Sequence, residues 1–336
     1  MDNSQNDVFD KIKFYDSIRK AKRIAISGHV KPDGDCTGST LALYGYLTEN
    51  FNKDASKTID AYIELMQTKF AFLKYSDRVI TQSRYSDEPY DIFITLDCSN
   101  RERIFADASL FDNAGQTVVF DHHISNAGFS DLRDIRPDAS STAELLFDDM
   151  DVNLISKDVA EALYLGIIHD TGVFKHTNTT RHTMEVSGML IEKGLNTEEI
   201  IDGSFYEKNY KENQILGRCL MESMLVADGK IIVSSISRKV MEFYGVTPEN
   251  LDGVIDQLRI TKGVEAAIFI HEVADQEYKV SMRSNGKVDV SKTAVFFGGG
   301  GHVKAAGCTM RGSLHDCINN LTVGICHQLD EYNSNN

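Results

Sequence analysis

The first half of the chain alternates short, wholly apolar runs with longer stretches whose apolar positions recur every three or four residues. Arg23-Ile24-Ala25-Ile26-Ser27, Asp91–Leu96 (DIFITL) and Thr117–Phe120 (TVVF) are apolar with little alternation, which predicts strands covered on both faces of a sheet. Ile59–Leu65 predicts a further strand. Gly38–Leu47 (GSTLALYGYL), Ser141–Asp149, Asp158–His169 and residues 182–193, ending at Gly194, predict helices. Strands alternating with helices are the pattern of a mostly parallel sheet with helices on its faces, so the expected fold class is α/β.

Beyond Gly194 the pattern changes. Residues 195–225 are helical and charged without a turn cluster, and predict a connecting helical segment. Lys230–Ser237, Val264–Glu272 and Glu277–Arg283 are strand-like, a helix is predicted over Ser313–Leu329, and Asn333–Asn336 reads as a polar tail. These elements suffice for a second, smaller α/β domain. The expected organisation is an N-terminal domain over 1–194, a helical linker over 195–225 and a C-terminal domain over 226–336. The length, 336 residues, agrees, because a single core stops growing at roughly 250–300.

Composition narrows the possibilities. Apolar residues make up 42% of the chain, enough for ordinary cores, yet no run approaches the roughly 18 apolar residues of a membrane helix. The first seven residues are polar and acidic, without the basic start and apolar stretch of a signal peptide, so a cytoplasmic location is expected. Six scattered cysteines with no Cys-x-x-Cys pair predict free thiols and no structural zinc. A net charge of −15 excludes a protein that wraps long nucleic acid, since that binding needs a basic stripe. A short polyanion can still bind where metal cations and a few arginines supply positive charge locally.

Candidate chemistry gathers where apolar elements stop. His29-Val30-Lys31-Pro32-Asp33-Gly34-Asp35 follows the first strand, at the edge of an open sheet where ligands bind. Pro32 and Gly34 shape a tight turn that lets His29, Asp33 and Asp35 converge. Asp97 follows DIFITL, Asp121-His122-His123 follows TVVF, and His169-Asp170 ends a helical run. Carboxylates without cations repel one another, whereas divalent metals make the same set attractive. Carboxylate and imidazole together suit Mn²⁺ or Mg²⁺ better than a thiolate-rich zinc site. In the second half, Gly298–Gly301 with His302, preceded by Arg283 and Ser284, reads as a phosphate cradle. Glycines let backbone N–H groups approach an anion, and arginine grips phosphate through two donors.

The motifs HVKPDGDCTGS, TLDCSNRER, DHHISN and HDTGVFKHTNTT resemble the four ordered motifs of the DHH phosphoesterases, and FGGGGH resembles the signature of their C-terminal DHH-associated domain. Motif order, length and the stretch SSTAELLF (Ser140–Phe147) are most similar to the branch of nanoRNases and pAp phosphatases. The resemblance implies two Mn²⁺ ions, with Mg²⁺ or Co²⁺ as substitutes. His29 and Asp33 would bind one ion, Asp35, His122 and Asp170 the other, and Asp97 both. It places His123 near the scissile phosphate and leaves Asp121 to orient an imidazole. Arg283, Ser284, Gly299, Gly300, Gly301 and His302 become substrate-binding residues, with the active-site cleft between the domains.

The expected activity is metal-dependent hydrolysis of short oligoribonucleotides or linear dinucleotides such as pApA to 5′-mononucleotides, with pAp dephosphorylation alongside. Cyclic di-AMP hydrolysis is the alternative. Exopolyphosphatase or pyrophosphatase activity and non-catalytic nucleotide binding follow behind. The expected partners are small nucleotides, with no membrane and no long nucleic acid, and a homodimer through helices of the N-terminal domain is a further expectation. Val173, where relatives often carry arginine, departs from the family pattern. His176, His182, Arg101 and Arg103 are left without assigned roles.

Overall fold

Five short strands form the sheet of the first unit: β1 (Arg23–Ser27), β2 (Thr58–Tyr62), β3 (Ile92–Leu96), β4 (Thr117–Asp121) and β5 (Leu132–Ile135). All pair in parallel, in the order β2-β1-β3-β4-β5. The computed structural model describes residues 9–83 and 88–335; the polar N-terminal stretch lies outside these residues. Every residue of β3 is buried, which is why its sequence lacks alternation. Flanking the sheet are α1 (Lys11–Lys20), α2 (Gly34–Phe51), α3 (Ala108–Asp112), α4 (Thr142–Asp149), α5 (Lys157–Asp170), α6 (Arg181–Ile191) and α7 (Thr197–Ile201). Helix α2 starts ahead of the predicted Gly38 because the Asp33 side chain accepts the Cys36 N–H and caps it.

The strand order decides where a ligand can sit. Connections from β1 run to β2 on one side and on to β3 on the other, so the chain leaves a crevice at the carboxyl ends of β1 and β3. The Asp and His candidates of the first three motifs follow β1, β3 and β4.

The second unit has a six-stranded sheet in the order β10-β11-β9-β8-β7-β6. Its strands are β6 (Met224–Val226), β7 (Ile231–Ile236), β8 (Ala266–Ala274), β9 (Glu277–Ser284), β10 (Gly300–His302) and β11 (Ala305–Arg311). Only β7 and β8 run parallel; the other neighbours are antiparallel. Its helices are α8 (Tyr210–Met221), α9 (Arg238–Tyr244), α10 (Val254–Arg259), α11 (Val290–Phe296) and α12 (Leu314–Asn335). Val280, Met282 and Cys308 pack on one face with Ala294 of α11 and Leu321 and Ile325 of α12. Ala267 and Phe269 pack on the other with Ile215, Met241 and Leu258 from α8, α9 and α10.

The compact units are Met1–Glu207 and Lys208–Asn336. The segment 195–225, read as a connector, is helical in both parts, but α7 belongs to the first unit and α8 to the second. The residues taken as a polar tail continue α12 as far as Asn335, because its apolar stripe runs on through Leu329. All six cysteines are free thiols, five of them buried. Among the described residues no helix is long and apolar enough to cross a membrane.

Candidate active site

The turn after β1 delivers His29 into the crevice, where it is 3% exposed. Its Nδ1 lies 2.8 Å from the Val30 carbonyl oxygen and 3.1 Å from an Arg103 guanidinium nitrogen. That leaves Nε2 facing Asp97 at 3.4 Å and Asp33 at 3.7 Å. Asp33 caps α2 through Oδ1 and turns Oδ2 toward His29. Asp35, in the first turn of α2, is fully buried, and its two oxygens accept the N–H groups of Thr142 (2.7 Å) and Ala143 (3.0 Å) at the start of α4.

Asp97 follows β3 with a left-handed φ of 57°, a conformation aspartate tolerates better than most residues. Its Oδ1 accepts the Thr142 hydroxyl at 3.1 Å and faces His122 Nε2 and His123 Nδ1, each at 3.5 Å. Its Oδ2 faces His29. His122 Nε2 also stands 3.0 Å from Asp170 and 4.0 Å from Asp35. The side chains thus fall into overlapping sets, His29–Asp33–Asp97, Asp35–His122–Asp170 and Asp97–His122–His123, with the donor atoms of each set within 4.8 Å of one another. Asp97 adjoins both outer sets.

Charge in this crevice is unbalanced toward the negative. Burial, with Asp97 and Asp170 alongside, pushes the Asp35 carboxyl well above the usual carboxylate range, and burial raises Asp170 as well. Burial works against ionisation of Asp97 too, but His122 and His29 hold it below the usual range. The imidazoles of His29 and His122 are raised by their carboxylate partners in spite of burial. Buried carboxylates that compete for imidazole protons are a donor set suited to divalent cations, whose charge would replace those protons.

His123 is oriented from behind: its Nδ1 is 2.7 Å from Asp121, a fully buried carboxylate that also accepts the Asn126 amide at 2.6 Å. Arg103 lies beside the site, one guanidinium nitrogen 3.1 Å from the His29 ring, with no carboxylate partner among the described residues. Arg101 instead pairs with Asp112 and stacks on Phe111. His169 is held apart from the clusters, edge-on to Phe70 and Phe205 and 3.2 Å from the Ser204 hydroxyl. His176 reaches the Asp170 carbonyl at 3.2 Å, and His182 pairs with Asp148 at 2.8 Å. After Asp170, Gly172, Val173 and Phe174 are left-handed in succession, unusual for a β-branched residue.

Four contributors were given no role by the motif reading. Thr142 and Ala143 hold Asp35 and Asp97 as described. Asn178 donates to the carbonyls of Ser140 (2.9 Å) and Asp170 (3.2 Å), tying the fourth motif to the start of α4. Gly166 makes room, since a Cβ there would stand 2.6 Å from Asp35 Oδ1 and 2.5 Å from Ala143 Cβ.

In the second unit a groove of about 580 Å³ runs over β9 and β11, lined by Lys279, Ser281, Arg283, Gly298–Gly301, Ala305, Gly307 and Thr309 among others. Lys279, Ser281 and Arg283 face one way because side chains alternate along a strand, and their partners across the ladder are Thr309, Gly307 and Ala305. Arg283 and three of the expected glycines, Gly299, Gly300 and Gly301, therefore lie together. Ser284 does not join them: it is on the opposite face, buried, accepting the Gly286 N–H at 3.0 Å, and the groove's serine is Ser281. His302 sits exposed at the end of β10, outside the groove lining.

Residues 23–167 match the family model of the DHH family N-terminal domain, and residues 228–322 that of the DHHA1 domain. The chain is 27% identical to the bifunctional oligoribonuclease and PAP phosphatase NrnA of Thermus thermophilus, over 90% of each chain. It is 28% identical to the protein of the same name from Bacillus subtilis, over 89% of this chain and 91% of that one. Among solved structures, an exopolyphosphatase-related protein from Bacteroides fragilis shares the fold, with a TM-score of 0.83 at 24% identity over 96% of each chain.

Proposed function

The chain belongs to the DHH family and is a hydrolase of phosphate esters, and from that premise we propose that it cleaves short oligoribonucleotides and linear dinucleotides to 5′-mononucleotides and removes the 3′-phosphate of pAp. The observation that carries the reading is the meeting of His29, Asp33, Asp35, Asp97, His122 and Asp170 in two sets that adjoin at Asp97. These oxygen and imidazole donors fit two divalent cations, Mn²⁺ in our reading. When bound, the cations supply Lewis acidity and charge neutralisation for in-line displacement at phosphorus.

The chain's own residues do the rest. Asp97 holds the two sets in one register. His123, fixed by Asp121, presents its ring beside the sets and donates to a phosphate oxygen of the substrate. Arg103, with no carboxylate partner among the described residues, grips a second phosphate oxygen. In the second unit Arg283 and the backbone of Gly299–Gly301 hold the nucleotide; the open groove, floored by glycine, alanine and serine, suits a short polyanion. The net charge of −15 favours small anions over long nucleic acid.

Incubation with pApA, a labelled trinucleotide and pAp, with and without Mn²⁺, tests the reading. Release of 5′-AMP from the first and of inorganic phosphate from the last is expected. No turnover of any of the three under Mn²⁺ would overturn it, and a faster rate on cyclic di-AMP than on pApA would redirect it to the cyclic dinucleotide.

A further inference from the structure

The stretch Ser140–Phe147, distinctive in the sequence, has no part in the chemistry assigned so far. We infer that Thr142 is a positioning residue that sets Asp97 and Asp35 in a common register for the two cations; this rests on the two-metal reading above.

The backbone of Asp97 does not fix its carboxylate, because the terminal torsion of aspartate is broad and roughly two-fold. Hydrogen bonds must orient it. Of the imidazoles around it, His29 and His122 are themselves members of the two sets, and His123 Nδ1 is engaged by Asp121 at 2.7 Å. An imidazole nitrogen that offers its lone pair to a cation carries no proton, so that nitrogen cannot donate to Asp97 at the same time. Among the described residues the one side-chain donor to Asp97 from outside the sets is the Thr142 hydroxyl, at 3.1 Å on Oδ1. It holds Oδ1 on the side of His122 and thereby turns Oδ2 toward His29.

The same residue reaches the other set through its backbone. Thr142 N–H donates to Asp35 Oδ2 at 2.7 Å and Ala143 N–H to Oδ1 at 3.0 Å. These are first-turn amides without helical partners, at the end of the helix that favours negative charge. Thr142 is fully buried, and its branched Cβ restricts the rotation that would carry the hydroxyl away. Helix α4 is in turn held at both ends. Ser141 caps it by accepting the Glu144 N–H at 3.1 Å, and Arg136 donates to the Leu145 carbonyl at 2.9 Å and to Asp148 at 2.7 Å. One residue on a fixed helix, through its hydroxyl and its backbone N–H, thus couples the shared carboxylate to the second set.

Calorimetric titration of Mn²⁺ into the metal-free full chain tests this, with Thr142→Val, Thr142→Ala and Thr142→Ser beside the parent. Loss of an outer hydrogen bond to a ligand weakens metal binding by about 10–100-fold. That loss is expected in both Thr142→Val and Thr142→Ala, with kcat on pApA falling in step and KM little changed. Thr142→Ser, which keeps the hydroxyl, should stay near the parent. Parent-like Mn²⁺ affinity in either hydroxyl-free variant overturns the inference. So does a Thr142→Ser loss as large as that of Thr142→Val, which would assign the effect to packing. A parent that takes up no Mn²⁺ overturns the two-metal reading itself, and the inference falls with it.

Discussion

The two units expose their polar chemistry in opposite ways. In the first, Asp35, Asp97, Asp121 and His29 are buried; Asp35 and Asp97 accept hydrogen bonds from the start of α4, Asp121 is held by His123 and Asn126, and His29 Nε2 stands 3.4 Å from Asp97. In the second, the groove is open, and its cations sit on side chains that are partly or fully exposed, Arg283 3.5 Å from Asp256 and Lys279 with no ion pair among the described residues. Burial makes the first arrangement expensive unless it is fully paired, and a partner removed there leaves a buried charge uncompensated. The open groove has no such penalty. The difference implies that the first unit works by rigid placement and the second by adjustable grip.

The strongest way to break that contrast is at Asp97. Asp97→Ala removes the carboxylate that adjoins both sets, and turnover of pApA should drop to background, with bound Mn²⁺ per chain falling in parallel. Retained turnover would mean that the sets act separately. Arg283→Ala is the counterpart in the second unit. A charge-assisted hydrogen bond contributes about 1.5–3 kcal/mol, so KM should rise about 10–100-fold while kcat changes little. A fall in kcat without a change in KM would show Arg283 to act on the reaction itself and erase the distinction between placement and grip. Arg283→Lys should recover only part of the loss, because a lysine cannot offer two parallel donors.

Smaller effects sharpen the picture of the groove. A Cβ at Gly299 would stand 2.1 Å from the Gly307 carbonyl oxygen, which is backbone and cannot swing aside. Overpacking of this kind costs about 1–3 kcal/mol, so Gly299→Ala should lower the melting temperature of the chain measurably. At Gly300 a Cβ meets open space, and Gly300→Ala should change stability by less than about 0.5 kcal/mol. Equal melting temperatures for the two variants would argue against the close approach of β11 to the glycine run.

Much of the first unit was legible because parallel strands buried on both faces spell continuous apolar runs, and because its ligand candidates stand directly after them. Strand β5 was not: its burial alternates and it carries Arg133 and Asp134 at the sheet edge. Strand β11 was missed as well, since Ala305-Ala306-Gly307 lacks the branched and aromatic residues that mark strands. Within the site, motifs brought out the candidate ligands but not the groups that hold them. Thr142 meets Asp97 across 45 positions and Asp35 across 107, and no local pattern encodes such a contact. Ser284 shows a different failure. It adjoins Arg283 in sequence, yet the two-residue period of a strand puts it on the other face, while Ser281 shares the groove face with Arg283.

A control for the whole comparison lies at the far end of α4. Asp134, Asp148 and Asp149 surround Arg136 there, away from the two sets, so buried charge in the first unit is not confined to the site. Burial, followed by a hydrogen bond with Asp134, pushes the Asp149 carboxyl up to about 8. Asp149 therefore holds its proton more tightly folded than unfolded, the folded state carries the extra proton between about pH 4 and pH 8, and stability falls as pH rises through that window. Because Arg136 offsets part of the charge, the loss should be nearer about 1 kcal/mol than the full shift implies. In Asp149→Asn that loss disappears, so the variant should melt about 2–4 °C above the parent at pH 9 and no higher at pH 4. Turnover of pApA should be unchanged, because this cluster touches none of the six candidate ligands. If Asp149→Asn altered Mn²⁺ affinity instead, α4 would be transmitting strain from one end to the other, and the placement assigned to the first unit would be less rigid than its hydrogen bonds suggest.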